Sequence, residues 1–488
     1  MGIYYYIIMS VAKNTTLMTI ASIGQKIIAF IYFAVIANFL GVGDTGRYTT
    51  VLAFTTIIVV FVDLGLSNVL VREVARKKEQ AQAYLSTVLA SKIVLSICSY
   101  LLLVILVNVL GYDMEYRHMV YLSGVTMLFD SLHLSLYSVL RGYGILKHEA
   151  RGIILSQAIT LIFGTTFLYL GFPIIFLILA FTIASFVNVL YIGTILKKTY
   201  ELSLVPVFDK KIFKHLSRIA VPFAFAAIFA RVYSYIDGLL LKSMLGDIAA
   251  GLYAIPMKIT FAFQFIPFAL VASLYPRMSE YFTSNKKRLA QIFHQGLVYL
   301  SIVAFPIAVG IAVLAKDIIL LIYTEDYIAS VVPLQILMTG LVFFFLSFPI
   351  GACLNACNRQ ATQTGIAGVV MLINIGLNIM LIPIYGIIGA SIAALVGNVL
   401  LVVIGFVFVR KVLEVAWVDL LKKIIQIGFS AFIMGWAVYM VSSHVPLVIA
   451  ILFIVFHIVQ FVILKILHQN EQYIAMWALI ISPVILYI

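Results

Sequence analysis

A chain of 488 residues that is 64% hydrophobic and only 10% charged, with a mean hydropathy of +1.14, is too apolar to be a soluble globule, because soluble domains carry roughly a quarter charged residues. Apolar runs of ~20 residues, enough to cross a ~30 Å hydrocarbon layer as helix, recur from end to end, so the expected class is an all-α polytopic membrane protein. The formal charge of +13, which in a soluble chain would suggest nucleic acid, reads here as cytoplasmic loop bias, and nucleic acid is excluded as a partner.

In chain order, Met1–Asn14 lacks a basic segment followed by an apolar run and a small-residue cleavage site, so no removable signal peptide is expected. Fourteen helices follow, at about 15–41, 46–70, 81–111, 116–140, 150–171, 174–196, 218–243, 248–276, 289–315, 329–357, 361–383, 386–409, 420–442 and 446–467. The tail 473–488 is apolar but short and contains Pro483, so it reads as interfacial. Of the 32 Lys and Arg residues, 24 fall in the termini and in the loops after even-numbered helices, and 4 in the loops after odd-numbered ones. That asymmetry places both termini in the cytoplasm, in a cell (plasma or inner) membrane. The longest loop contains VFDKKIFKHLS (Val207–Ser217), whose Phe208, Ile212, Phe213 and Leu216 share a helical face. It reads as a basic amphipathic linker on the anionic inner leaflet.

The skeleton Leu-Gly-x4-Gly-x-Tyr occurs twice, at Leu40–Tyr48 and Leu245–Tyr253, 205 positions apart. The same shift carries Lys26 onto Arg231 and Arg72 onto Arg277. It moves the pattern by six spans, an even number, so both copies point the same way across the membrane. The expected organisation is an N-terminal six-helix lobe (1–200), a linker (201–217), a parallel C-terminal six-helix lobe (218–412), and a further helix pair with the tail (413–488). Two facing lobes of this kind form a transporter architecture.

Seven charged residues fall inside spans: Lys26, Asp63, Lys92, Asp130, Arg231, Asp237 and Lys258. Each costs ~2.5–3.5 kcal/mol at mid-membrane unless paired or wet. Depth counting sets Asp63 against Lys92 and Asp237 against Lys258, which leaves structural ion pairs open beside a cavity role. Lys26 and Arg231, equivalent under the repeat, are the foremost candidates to face a cavity and hold an anionic headgroup, with Lys92 and Lys258 as further candidates. Asp63, Asp130, Asp237 and His133 are candidates for ion or proton coupling, or for ion pairs; His457 is a further intramembrane histidine. Gln25, Gln157, Asn188, Asn355, Asn374 and Asn378 could meet sugar hydroxyls or join helices. Cys98, Cys353 and Cys357 all lie in apolar runs and read as packing residues, so neither a metal nor a cofactor is expected.

DLGLSNVLVREVAR (Asp63–Arg76), the repeated glycine turn and PIYGIIGASIAAL (Pro383–Leu395) resemble the polysaccharide transporter family. Those proteins are lipid-linked oligosaccharide flippases of the multidrug/oligosaccharidyl-lipid/polysaccharide exporter superfamily. The resemblance implies twelve core helices in two lobes, often with an added pair, and alternating access around a cationic cavity. It implies a polyprenyl-diphosphate-linked glycan as cargo, carried from inner to outer leaflet, and a polysaccharide polymerase or glycosyltransferases as working partners. Helices 13 and 14 match the optional pair, which in related peptidoglycan-precursor flippases lines a groove for the lipid tail. An enzyme would need a catalytic loop outside the membrane, and the loops here are too short for one. The main rival is a drug/cation antiporter of the same superfamily.

Overall fold

The computed structural model describes the backbone of residues 2–442 and the side chains of residues 21–440. The expected fourteenth span, with His457, and the tail 473–488 lie outside the described residues. Among these residues the chain is helical, without a strand, as hydrocarbon requires, since it offers no partner to an open backbone N–H or C=O. Twelve stretches of the described residues are long and apolar enough to cross a membrane. The protein is an all-α polytopic membrane protein.

Helix α1 (Gly2–Asp63) holds the expected first span and most of the second, joined without a loop through a sharp kink at Gly41. The second span is completed by a separate helix, α2 (Leu66–Arg76). Next come α3 (Ala81–Val109), α4 (Met114–Gly142), α5 (Lys147–Tyr169), α6 (Ile175–Thr199) and α7 (Lys210–Leu245). The expected eighth span is divided into α8 (Asp247–Ala262) and α9 (Phe265–Ser284). After α10 (Lys286–Val313) and the short α11 (Ala315–Ile322) come α12 (Val331–Ala356), α13 (Gln360–Tyr385), α14 (Ile387–Val409) and α15 (Trp417–Ser442).

The basic stretch read as a linker helix begins at Lys210 and runs without a break into the α7 span. Its start is set locally. The Asp209 carboxylate accepts from the backbone N–H of Lys211 (2.7 Å) and Ile212 (3.0 Å), and Phe208 packs on Phe213 across the cap, a hydrophobic staple. The extended segment before it is pinned to α3 by Gln82, which bonds both the N–H and the C=O of Ser203.

Contacts divide the chain into two compact units, Met1–Gly251 and Leu252–Ile488. In the first, α4 packs against α1, α2, α3 and α6, and α7 packs against α1, α2 and α3. Hydroxyl pairs bridge its helices: Thr55 with Ser123 (2.8 Å) and Thr126 with Thr182 (2.7 Å). Small polar residues suit such interfaces, because the backbones come close and the hydroxyls find partners away from lipid. In the second unit α12 packs on α9, α10 and α14, and α15 docks on α10. Gly428 and Gly435 of α15 lie against Phe305 and Val309 of α10. An adjoining face of α15 exposes Leu421, Ile425, Phe429, Phe432 and Trp436, an apolar stripe at helical spacing that suits lipid.

Candidate functional site

The motif beginning at Asp63 is a helix break. Asp63 ends α1, and the next two residues are left-handed, Leu64 at φ 42° and Gly65 at φ 79°. Broken membrane helices are tolerated where they line a protein cavity. The Asp63 carboxylate is 2.6 Å from Lys92 Nζ and accepts from the Ser67 hydroxyl. Lys92 also donates to the carbonyl and hydroxyl of Ser131, both at 2.8 Å, and is 3% exposed. Lys92 is therefore fully engaged by α1 and α4, behind Asp63, and does not present its charge to a cavity.

A cavity of about 530 Å³ opens beside this network, within the first unit. Its lining includes Gln25, Asp63, Asp130, His133, Gln157 and Arg231. Asp130 accepts from Ser185 Oγ at 2.5 Å, and its side chain is about half exposed, at 47%. His133 Nδ1 lies 3.7 Å from Asp130, beyond hydrogen-bond range. Arg231, exposed on α7, has neither ion pair nor hydrogen bond among the described residues.

The remaining sequence candidates scatter. Lys26 is exposed on α1 and has no partner among the described residues, but it is absent from this lining, where its neighbour Gln25 sits. Asp237 is buried in α7, and Lys258 is half-buried on α8 in the second unit. Asn188 lines the cavity and accepts from Tyr137 Oη at 2.6 Å. Asn374 and Asn378 are completely buried, and Asn378 donates to the Asn374 carbonyl of its own helix at 2.9 Å; Asn355 is half-buried on α12. The expected excess of cations is not what this lining carries. Asp63, Asp130 and Arg231, with Lys92 beside Asp63 and His133 neutral, sum to zero formal charge. Sequence reading missed Asn68 and Ser156 in the lining. Asn68 stands in the quoted motif one turn past the break, the one signal available for it.

The repeated glycine motif has a conformational cause. Gly41 adopts φ 73°, ψ 179° and Gly246 φ 90°, ψ −173°, a backbone region open essentially to glycine alone. The second glycines of the two copies, Gly46 and Gly251, meet backbone to backbone. A Cβ on Gly46 would overlap the Asp247 carbonyl, and one on Gly251 the Val42 carbonyl. Charges surround this contact: Arg47 bonds Glu115 at 2.8 Å and lies 3.6 Å from Asp247, which is 2.5 Å from Lys242 Nζ. Both motif tyrosines, Tyr48 and Tyr253, are 2% exposed.

The polysaccharide biosynthesis protein family model matches residues 11–282, more than half of the chain, and the MatE model matches residues 222–380. Among curated relatives, the probable flippase AglR of Haloferax volcanii is 28% identical over 34% of this chain and 36% of its own. The capsular polysaccharide biosynthesis protein CapF of Staphylococcus aureus is 22% identical over 82% of this chain and 99% of its own. Among solved structures, the lipid II flippase MurJ in an inward closed conformation matches with a TM-score of 0.75 at 18% identity, over 93% of this chain and 99% of that one. A broken second span, a polar cavity beside it and glycine-paired connectors thus stand on a fold similar to that of the solved MurJ structure, and the chain belongs to the polysaccharide biosynthesis protein family.

Proposed function

We propose that the protein flips an anionic polyprenyl-diphosphate-linked oligosaccharide from the inner to the outer leaflet by alternating access, supplying surface glycan synthesis by transport without chemical conversion. The observation that carries this reading is Arg231, a permanently charged side chain without a partner among the described residues, facing a polar cavity in a member of this family. A guanidinium fork suits phosphate oxygens. The second reading, drug/cation antiport, has the MatE match in its favour, but a lipophilic cation gains nothing from Arg231. Deletion separates the two. Accumulation of a lipid-linked oligosaccharide on the inner leaflet supports flipping, whereas normal surface glycan with new sensitivity to cationic dyes means antiport.

Arg231→Ala should slow flipping of the lipid-linked glycan in reconstituted vesicles by roughly ten- to a hundredfold with unchanged membrane abundance, since a charge-assisted contact is worth ~1.5–3 kcal/mol. Arg231→Lys should retain more activity than Arg231→Gln. Adding Lys26→Ala should deepen the defect if the exposed Lys26 meets the same cargo. Full transport in the double variant would refute the role of both cations.

The distribution of basic residues sets the orientation in this reading, with both termini cytoplasmic. Ser284 and Thr324 are exposed at helix ends. As single cysteines in a chain lacking Cys98, Cys353 and Cys357, they should react with an impermeant thiol reagent from opposite sides, Thr324 from outside. Equal labelling of both in intact cells would overturn this topology.

A further inference from the structure

We infer that the cavity of the first unit is a saccharide subsite that takes uncharged, hydroxyl-rich sugar rings of the cargo; this rests on the flippase reading above.

The lining is matched to hydroxyl groups rather than to a charge. Gln25, Gln157 and Asn188 offer amides, each both donor and acceptor. Asp130 keeps accepting capacity beyond its bond from Ser185. Two lining residues, Ser156 and His133, each hold a polar atom, Oγ and Nδ1, that is buried without a hydrogen-bond partner. Buried polar atoms are costly when left unpaired, and a side-chain rotation toward the cavity would offer both to sugar hydroxyls, which donate and accept alike. Phe181 adds an aromatic surface for the C–H face of a ring.

The charge balance narrows the ligand. Lys92 cancels Asp63 at 2.6 Å, which leaves Asp130 and Arg231 as the open charges. A lining of zero net charge does not concentrate a lipophilic cation. With a single open cation it is also a poor cage for a diphosphate by itself, although Arg231 can meet one phosphate oxygen while the rings occupy the rest. The volume of about 530 Å³ lies within the ~300–1,000 Å³ of small-molecule sites, room for about one or two rings.

The test uses the full chain in lipid nanodiscs, with Cys98, Cys353 and Cys357 replaced and a reporter cysteine at Asn68, which is exposed and lines the cavity. The probes are polyprenyl-diphosphate-linked chitobiose and the same polyprenyl diphosphate without sugar. The expected result is that the sugar-bearing lipid slows labelling of the reporter at least fivefold more than the bare lipid, and that Gln157→Ala removes most of this difference. Gln157→Ala should also raise the KM for flipping of the sugar-bearing lipid more than it lowers kcat. Equal protection by both lipids, or none, while the sugar-bearing lipid is still flipped in vesicles, overturns the subsite and leaves the flippase reading standing. Absence of any flipping removes the flippase reading itself, and the subsite with it.

Discussion

Asp63→Leu should be among the most damaging single substitutions in the first unit, and more damaging than Lys92→Met. The two residues form one ion pair at 2.6 Å, but they are not equally enclosed. Lys92 is 4% exposed at its side chain, whereas Asp63 is 17% exposed and borders the cavity. Removing Asp63 strands a buried cation that retains only hydroxyl and carbonyl partners, and breaking a buried pair in this way costs about 3–5 kcal/mol. Removing Lys92 strands a carboxylate that can reach cavity water and the Ser67 hydroxyl, so the cost is smaller. The double variant Asp63→Leu/Lys92→Met leaves no stranded charge and should recover most of the loss, because an apolar pair can replace a buried ion pair with little penalty. Folded abundance in the membrane and the thermal midpoint of the purified protein check this ordering. Equal losses in the two single variants, or a double variant as poor as Asp63→Leu, would show that the pair is not what holds α1, α3 and α4 in register. Transport by a stable double variant then reports separately whether the Asp63 charge is needed for function.

Gly46→Val should disable transport while Gly43→Ala, three residues earlier, is tolerated. A Cβ at position 43 meets only Ile248 Cγ1 at 3.9 Å, an ordinary contact. At position 46 it would overlap the backbone carbonyl of Asp247, which cannot rotate aside as a side chain does. Overpacking typically costs 1–3 kcal/mol, and a rigid backbone neighbour sets the expectation at about 3 kcal/mol. That shifts the balance between joined and parted connectors by roughly a hundredfold. With both termini cytoplasmic, as proposed, these connectors lie on the outer side, and alternating access would require them to part for the cavity to open outward. Gly46→Val should therefore raise the reactivity of a cavity cysteine at Asn68 toward an impermeant reagent in intact cells. Gly251→Val should do the same, since its Cβ would strike the Val42 carbonyl from the opposite side. Unchanged labelling and unchanged flipping in both variants would refute a gating role for this contact.

Much of this protein follows from sequence alone. Apolar run length and the scarcity of charge determine a polytopic helical chain, because each ~20-residue run must satisfy its own backbone in lipid. The repeat was legible in one dimension because its glycines answer a local demand: Gly41 and Gly246 occupy a backbone region closed to other residues, and Gly46 and Gly251 permit backbone contact. Helix continuity was not legible at Gly41 or at Lys210. A glycine kink and a capped helix start look the same in sequence as loops, and only the path of the chain separates them. The roles of the intramembrane polar residues also needed tertiary structure. Lys26, Lys92, Arg231 and Lys258 are four basic residues in apolar runs, alike in sequence, yet one is paired and buried and another faces a cavity without a partner among the described residues. Gln25 lines that cavity and Lys26 does not, because successive residues are turned about 100° around a helix. Sequence sets the depth of a side chain in the membrane, but the direction it points depends on how each helix is rotated against its neighbours, and packing alone decides that.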